Sequence, residues 1–159
     1  MRIRPIFKVL FLFLLLGCKK DQRIDSKKII GLWNIERDAY TKGTLRINEN
    51  QTFKFKETAH LSETFSEGIW KIKKDTLFLN SKPSTECLYL NNFSPFCEDE
   101  FIVVKPYIET TIENCHPDNF TKYYTSFNQE KFIVKNDSLI YINENKNCEN
   151  EQFGYRIYK

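Results

Sequence analysis

From Gly31 onward the apolar positions of this chain recur at every second residue. Leu45 and Ile47 alternate with Arg46 and Asn48, Phe53 and Phe55 with Lys54 and Lys56, and Trp70 and Ile72 with Lys71 and Lys73. A period of two marks strands with one face buried and one in water, the pattern of antiparallel sheets. Turn formers fall between these runs. Asn48-Glu49-Asn50-Gln51 separates the first two, Lys73-Lys74-Asp75 precedes a strand expected at 76–80, and Lys135-Asn136-Asp137 divides strands expected at 131–134 and 138–142. Further strands are expected at 31–37, 87–90, 101–105 and 153–158, while 115–127 reads as a long irregular region. The chain shows neither a long amphipathic helical repeat nor an internal repeat. The expectation is an all-β fold, an antiparallel up-and-down meander closing into a barrel of about eight strands. Closure removes the exposed edges that an open sheet would carry.

The first residues follow a different pattern. Arg2, Arg4 and Lys8 precede an apolar run from Val9 to Leu16, followed by Gly17 and Cys18. The run is shorter than the ~20 apolar residues a membrane-spanning helix needs and suits the core of a signal peptide. The order resembles a bacterial lipoprotein leader, in which a small residue precedes the cysteine that opens the mature chain. That resemblance implies cleavage before Cys18, a thioether-linked diacylglycerol on its sulfur and acylation of the new amine. Two or more acyl chains give stable anchoring where one is marginal. Residues 1–17 are thus expected to be a signal peptide and 18–28, polar and poor in core-forming side chains, a lipid-anchored tether. Residues 29–159 are expected to form one domain, near the commonest domain size. The expected location is the cell envelope, at the outer membrane, with the periplasmic or surface face left open.

Removing the leader changes the charge. The whole chain has 24 Lys and Arg against 21 Asp and Glu, and the three basic residues of the leader account for the whole excess. A nucleic-acid binder would need a basic surplus or stripe. Nucleic acid is therefore not an expected partner.

Ile29-Ile30-Gly31-Leu32-Trp33-Asn34-Ile35 is similar to the opening strand of lipocalin-like proteins. The runs from Gly43 to Phe55, Glu67 to Ile72, Asp75 to Leu79, and the ending Tyr155-Arg156-Ile157-Tyr158-Lys159 resemble small lipocalin-like lipoproteins of the type exported by Bacteroidota. In that family Gly-x-Trp lays an indole across the closed end of the barrel, which implies a plug made by Gly31 and Trp33, with Arg156 as the arginine that stacks on the ring. The resemblance also implies a small apolar ligand in the barrel, with Phe53, Phe55, Trp70 and Phe78 as candidate lining. The 15% aromatic content fits such a cup, and fits a solidly filled barrel equally well.

Besides Cys18 the chain has Cys87, Cys97, Cys115 and Cys148. An even number of cysteines in an exported domain points to disulfides, with three possible connectivities. The pairing expected is Cys87 with Cys97, stapling the loop 91–96, and Cys115 with Cys148, tying the irregular region to the loop after Ile142. Closely paired ligands of the C-x₂-C kind are missing, which argues against structural zinc.

Candidate catalytic groups are sparse. Cys115 and His116 are neighbours, and on an extended chain adjacent side chains point to opposite faces. Glu113, His116 and Asp118 could form a small metal site, and Glu98-Asp99-Glu100 could attract calcium, but such groups in polar loops are more often solvated. His60 sits in a polar stretch and is expected to face water. Neither Gly-x-Ser-x-Gly nor a phosphate-binding glycine pattern is present. No enzyme and no cofactor are expected. The functional expectation is a lipid-anchored envelope protein binding a small apolar ligand. Its alternative is a protein-interaction or inhibitor module that uses the loops 81–100 and 109–125 of a packed barrel.

Overall fold

Alternation at period two does produce strands. In the computed structural model, which describes residues 25–37, 40–93, 111–142 and 156–159, ten strands join one sheet. They are β1 (Gly31–Glu36), β2 (Thr41–Ile47), β3 (Thr52–Ala59), β4 (Ser62–Lys73), β5 (Thr76–Ser81), β6 (Tyr89–Asn91), β7 (Lys122–Thr125), β8 (Asn128–Lys135), β9 (Ser138–Tyr141) and β10 (Arg156–Tyr158). The order β3-β2-β1-β10-β9-β8-β5-β4, with β4 also paired to β3, closes eight of them into an antiparallel barrel. The expected fold class is the observed one. Of the strands expected from sequence, 101–105 and the first half of 153–158 lie outside the described residues, as do Cys18, Cys97, Cys148 and Glu98-Asp99-Glu100.

The barrel has two distinct ends. At the floor lie the start of β1, the end of β2, the turns at Asn48-Gln51, Lys74-Asp75 and Asn136-Asp137, and the C-terminal Lys159. At the rim lie the end of β1, the start of β2 and the His60-Leu61 turn between β3 and β4. The segment read as a tether reaches the floor as an ordered turn. Asp25 caps a 3-10 turn at Ser26–Lys28 by accepting from the Lys27 amide at 3.0 Å, and Ile29 is fully buried.

Two strands depart from the simple meander. β4 is twelve residues long; its second half pairs with β5, while its first half pairs in parallel with β7, Glu63 opposite Lys122 and Phe65 opposite Tyr124. β6 then adds in parallel to β7. The region 115–127, expected to be irregular, thus contains a strand, Lys122–Thr125. The alternation signal is missing there because Tyr124 and Thr125 are consecutive buried residues and a four-residue strand is too short to set a period. Where β5 leaves the barrel, Ser81 joins the elements. Its hydroxyl lies 2.6 Å from the Ser66 hydroxyl, accepts from the Phe127 amide at 2.9 Å and donates to the Thr125 carbonyl at 3.3 Å.

Gly68 sits at the same crossing for a steric reason. A Cβ there would lie 1.9 Å from the Asn80 carbonyl oxygen, so β4 and β5 approach this closely only with glycine in place.

Candidate functional site

The inward positions of the eight strands form an apolar cluster: Trp33 and Ile35 from β1, Leu45 and Ile47 from β2, Phe53 and Phe55 from β3, Trp70 from β4, and Leu77 and Leu79 from β5. β8, β9 and β10 add Phe132, Val134, Leu139 and Ile157. Phe78, expected among the lining residues, does not belong to it. Trp70 pairs with Leu79, and Phe78 pairs with the exposed Lys71, whose amine lies 5.6 Å from the ring centroid on the outer face. The run Leu77-Phe78-Leu79 is apolar on both faces, so it carries no alternation from which to choose the inner side; only pairing with Trp70 settles it.

Trp33 is fully buried near the floor, and its indole N–H donates to the Ile29 carbonyl at 2.8 Å. The cation beside it is not Arg156, which faces outward on β10 because the next residue, Ile157, points in. Lys159 takes that place. Its amine lies 5.0 Å from the Trp33 ring centroid and donates to the carbonyls of Lys28 and Ile30, the latter at 3.0 Å. The terminal residue thereby ties the floor to the chain entering it. Gly31 holds a positive φ of 133°, a conformation that costs glycine little and other residues much.

Above this layer the barrel is occupied by two phenylalanines from outside the regular strands. Phe127 lies between β7 and β8, and its ring packs edge-on against Phe53 and Phe55 at 5.5 and 5.3 Å. Phe93 follows β6 and meets Phe55, Phe127, Phe132 and Tyr141 at centroid distances of 5.7, 5.1, 5.5 and 5.2 Å. These distances fall within the 4.5–7 Å preferred by aromatic pairs. Arg37 covers the Phe93 ring, with its guanidinium carbon 4.4 Å from the centroid, and forms a 2.7 Å ion pair with the buried Glu57. Neither phenylalanine was legible as an interior residue, because each stands in a polar, irregular stretch. The two members of the ion pair gave no signal either, since they are 20 residues apart and meet only through the β1–β2–β3 register.

The rim reverses the usual arrangement. Its inward positions are polar, with Thr41, Glu57, Thr64, Ser66 and Thr125 all buried. Outside, Tyr40, Leu61 and Phe120 are 71%, 89% and 71% exposed. Tyr40 stacks on His60 at 5.1 Å, and Phe120 stacks on Tyr89 at 5.9 Å. The Glu63 amide donates to the Thr121 carbonyl at 2.8 Å, which brings the approach to β7 alongside the β3–β4 turn. Glu63 itself is held below the ordinary carboxylate range, first by a hydrogen bond from the Lys56 amine, then by the charges of Lys56 and Lys122.

The cysteines pair differently from the expectation. Cys87 is bonded to Cys115, with Cα atoms 5.9 Å apart, which rules out both Cys87 with Cys97 and Cys115 with Cys148. Spacing along the chain favoured the shorter loop. The tertiary reason is that Leu88 and Ile112 are hydrogen-bonded, 3.0 Å from amide to carbonyl, and Tyr89 bridges Thr111, so the residues just before and just after these contacts face each other. His116 lies next to this bond with an exposed side chain. Among the described residues, no three His, Cys, Asp or Glu side chains are grouped to hold a metal ion.

On the outer wall a groove of about 680 Å³ runs over β8, β9, β10 and β1, lined by Glu36, Lys135, Asn136, Ile140, Arg156 and Tyr158 among others. The Tyr158 hydroxyl donates to Glu36 at 2.6 Å, and this bond pushes the phenol above its ordinary range. The groove is open to solvent. No family model matches this chain, and no match is found among curated proteins or among solved structures; the eight-stranded antiparallel barrel is consistent with a lipocalin-like fold.

Proposed function

We propose that this chain is a lipid-anchored protein of the cell envelope, held at the outer membrane through acylated Cys18, whose barrel is a filled scaffold for contacts with another envelope protein. It acts without catalysis or cofactor. The observation that carries this reading is Phe93. A ligand cup needs an open interior of ~300 Å³ or more, and here the central layer is taken by the rings of Phe93 and Phe127 packed against Phe53, Phe55, Phe132 and Tyr141. A small apolar molecule, the other use of such a barrel, would have to displace the Phe93 ring from those rings and from beneath Arg37. The anchor is supported by the basic start, the apolar run and the Gly17-Cys18 pair.

Native mass spectrometry of the protein extracted in mild detergent tests both parts. The expected species is the chain from Cys18 carrying acyl chains, with no small molecule retained. A stoichiometric apolar ligand surviving extraction would overturn the scaffold reading and restore the cup. Unchanged lipid labelling and membrane partitioning in Cys18→Ser would overturn the anchor.

A further inference from the structure

The groove of about 680 Å³ on the outer wall falls within the ~300–1,000 Å³ of small-molecule sites, and strand pairing fixes what faces it. β9 lies between β8 and β10. Lys135 of β8 is opposite Ser138 of β9, and Ser138 is opposite Tyr158 of β10. Arg156 stands two residues before Tyr158 on the same face of β10, opposite Glu36 of β1. Ile140 stands two residues after Ser138 on the same face of β9 and is 46% exposed. The alternate residues Val134, Leu139 and Ile157 belong to the core, so this set points outward. Adjacent strands are ~4.8 Å apart, which puts the stems of Lys135 and Arg156 about two strand spacings apart across β9, with Ser138 and Ile140 between them.

The charges of the groove are unbalanced. Its charged lining is Lys135 and Arg156 against Glu36; Asp137, in the adjoining turn, does not line it. Opposite charges facing each other across antiparallel strands attract, yet Glu36 does not pair with Arg156. It accepts from the Tyr158 hydroxyl at 2.6 Å instead, and among the described residues neither Arg156 nor Lys135 has an ion-pair partner. Two unpaired cations thus border a strip that carries an exposed isoleucine and a hydroxyl. The planar guanidinium matches the paired oxygens of a carboxylate or phosphate, and the lysine amine adds a point charge from the other side. We infer that this groove binds an amphiphilic organic anion, a carboxylate or phosphate on an acyl or aryl body, with its head group between Arg156 and Lys135 and its apolar body on Ile140. The site lies outside the barrel and requires neither an open interior nor the anchor. Being open to solvent, it exchanges its ligand freely, and none is expected to survive extraction.

The mature chain 18–159 carrying Cys18→Ser tests this without detergent, since it bears no acyl group. Octyl phosphate and octanoate, kept below their micelle concentrations, are titrated into it and followed by amide NMR, with octanol and inorganic phosphate as the apolar and anionic halves alone. The expected result is saturable shifts at Ser138, Ile140 and Tyr158 with at least one amphiphile, bound at least ~10-fold more tightly than either half. Arg156→Gln and Lys135→Gln should each weaken that binding ~5-fold or more, whereas Lys54→Gln, on β3 away from the groove, should not. These three side chains are exposed, so amide signals elsewhere should stay in place, which separates lost binding from lost fold. The absence of saturable shifts at the groove with both amphiphiles would overturn the inference. So would affinity indifferent to both groove variants, or octanol or inorganic phosphate binding as tightly as the amphiphiles. Co-sedimentation with phosphatidylglycerol vesicles, compared with phosphatidylcholine vesicles, separates the sources of such a ligand. If it depends on Arg156 and Lys135, the anion is a membrane lipid; if the soluble amphiphiles bind and the vesicles do not, it is a free molecule.

Discussion

The floor and the rim of this barrel use the same residue types in opposite ways. At the floor Trp33 is fully buried, its indole N–H bound to the Ile29 carbonyl and its ring beneath the Lys159 amine. At the rim the interior holds an ion pair, Arg37 with Glu57, and buried hydroxyls, while Tyr40, Leu61 and Phe120 face water. Burying apolar surface stabilises by ~25 cal/mol per Å², so the floor follows the ordinary rule and the rim forgoes it. A buried ion pair is weak evidence for stability, since desolvation offsets most of its Coulomb attraction. The difference teaches that stability is concentrated in the floor and the central aromatic layer. The outward face of the rim adds little to it.

The sharpest way to break this comparison is at Trp33. Replacing a buried tryptophan by alanine costs ~3–5 kcal/mol, a large part of the ~5–15 kcal/mol available to a domain. Trp33→Ala should therefore lower the denaturant midpoint severely in reversible unfolding. A change below ~1 kcal/mol would mean that the floor does not carry the fold. Next in size is the disulfide. Closing the 28-residue separation between Cys87 and Cys115 is worth about 3.5 kcal/mol by loop-entropy reasoning. The double variant Cys87→Ser, Cys115→Ser should lose up to that amount, and non-reducing peptide mapping of the wild type should recover the Cys87–Cys115 peptide pair.

Trp70 sharpens the comparison at an intermediate scale. It is buried and its indole N–H donates to the Asn48 carbonyl at 2.9 Å. Trp70→Phe keeps a ring, loses that bond and part of the ring volume, and should cost about 1–2 kcal/mol by equilibrium denaturation. The rim should be nearly silent. Leu61→Ser should shift stability by less than ~0.5 kcal/mol, as exposed substitutions do; a larger loss would show that the tip packs against something.

The smallest effect is set by pH. Glu63 has its folded pKa depressed, chiefly by the Lys56 amine. Its contribution is therefore present above the unfolded carboxylate range and is lost as pH falls through the folded value. The pair is exposed and screened. Glu63→Gln should accordingly leave unfolding near neutral pH almost unchanged and slightly flatten its acid limb, measured by thermal melts down the carboxylate range.

Much of the barrel is legible in the sequence because its signal is local. Each strand from β1 to β4 needs only its own alternation and a turn at its end, and Gly31-x-Trp33 identifies the first strand with its buried ring. The strands β6 and β7 are legible only in part, since strands of three and four residues carry no period, and the parallel pairing of β7 with β4 and of β6 with β7 depends on where the chain returns. The same applies to Phe78, whose orientation is set by the partner of Trp70, and to Arg156, whose place beside Trp33 is taken by Lys159 three residues later.

What the sequence alone determined is thus an all-β domain and most of its inward residues, because hydrophobic periodicity and turn chemistry are read within a few residues. What only the tertiary structure decided is the content of the barrel and the character of its ends. Phe93 and Phe127 fill the interior from irregular segments, Cys87 meets Cys115 across the side strands, and Arg37 reaches Glu57 through two strand registers. Tyr40, Leu61 and Phe120 gather at one rim from positions up to 80 residues apart. Such contacts join residues far apart in sequence, and their energies depend on distances that no local pattern encodes.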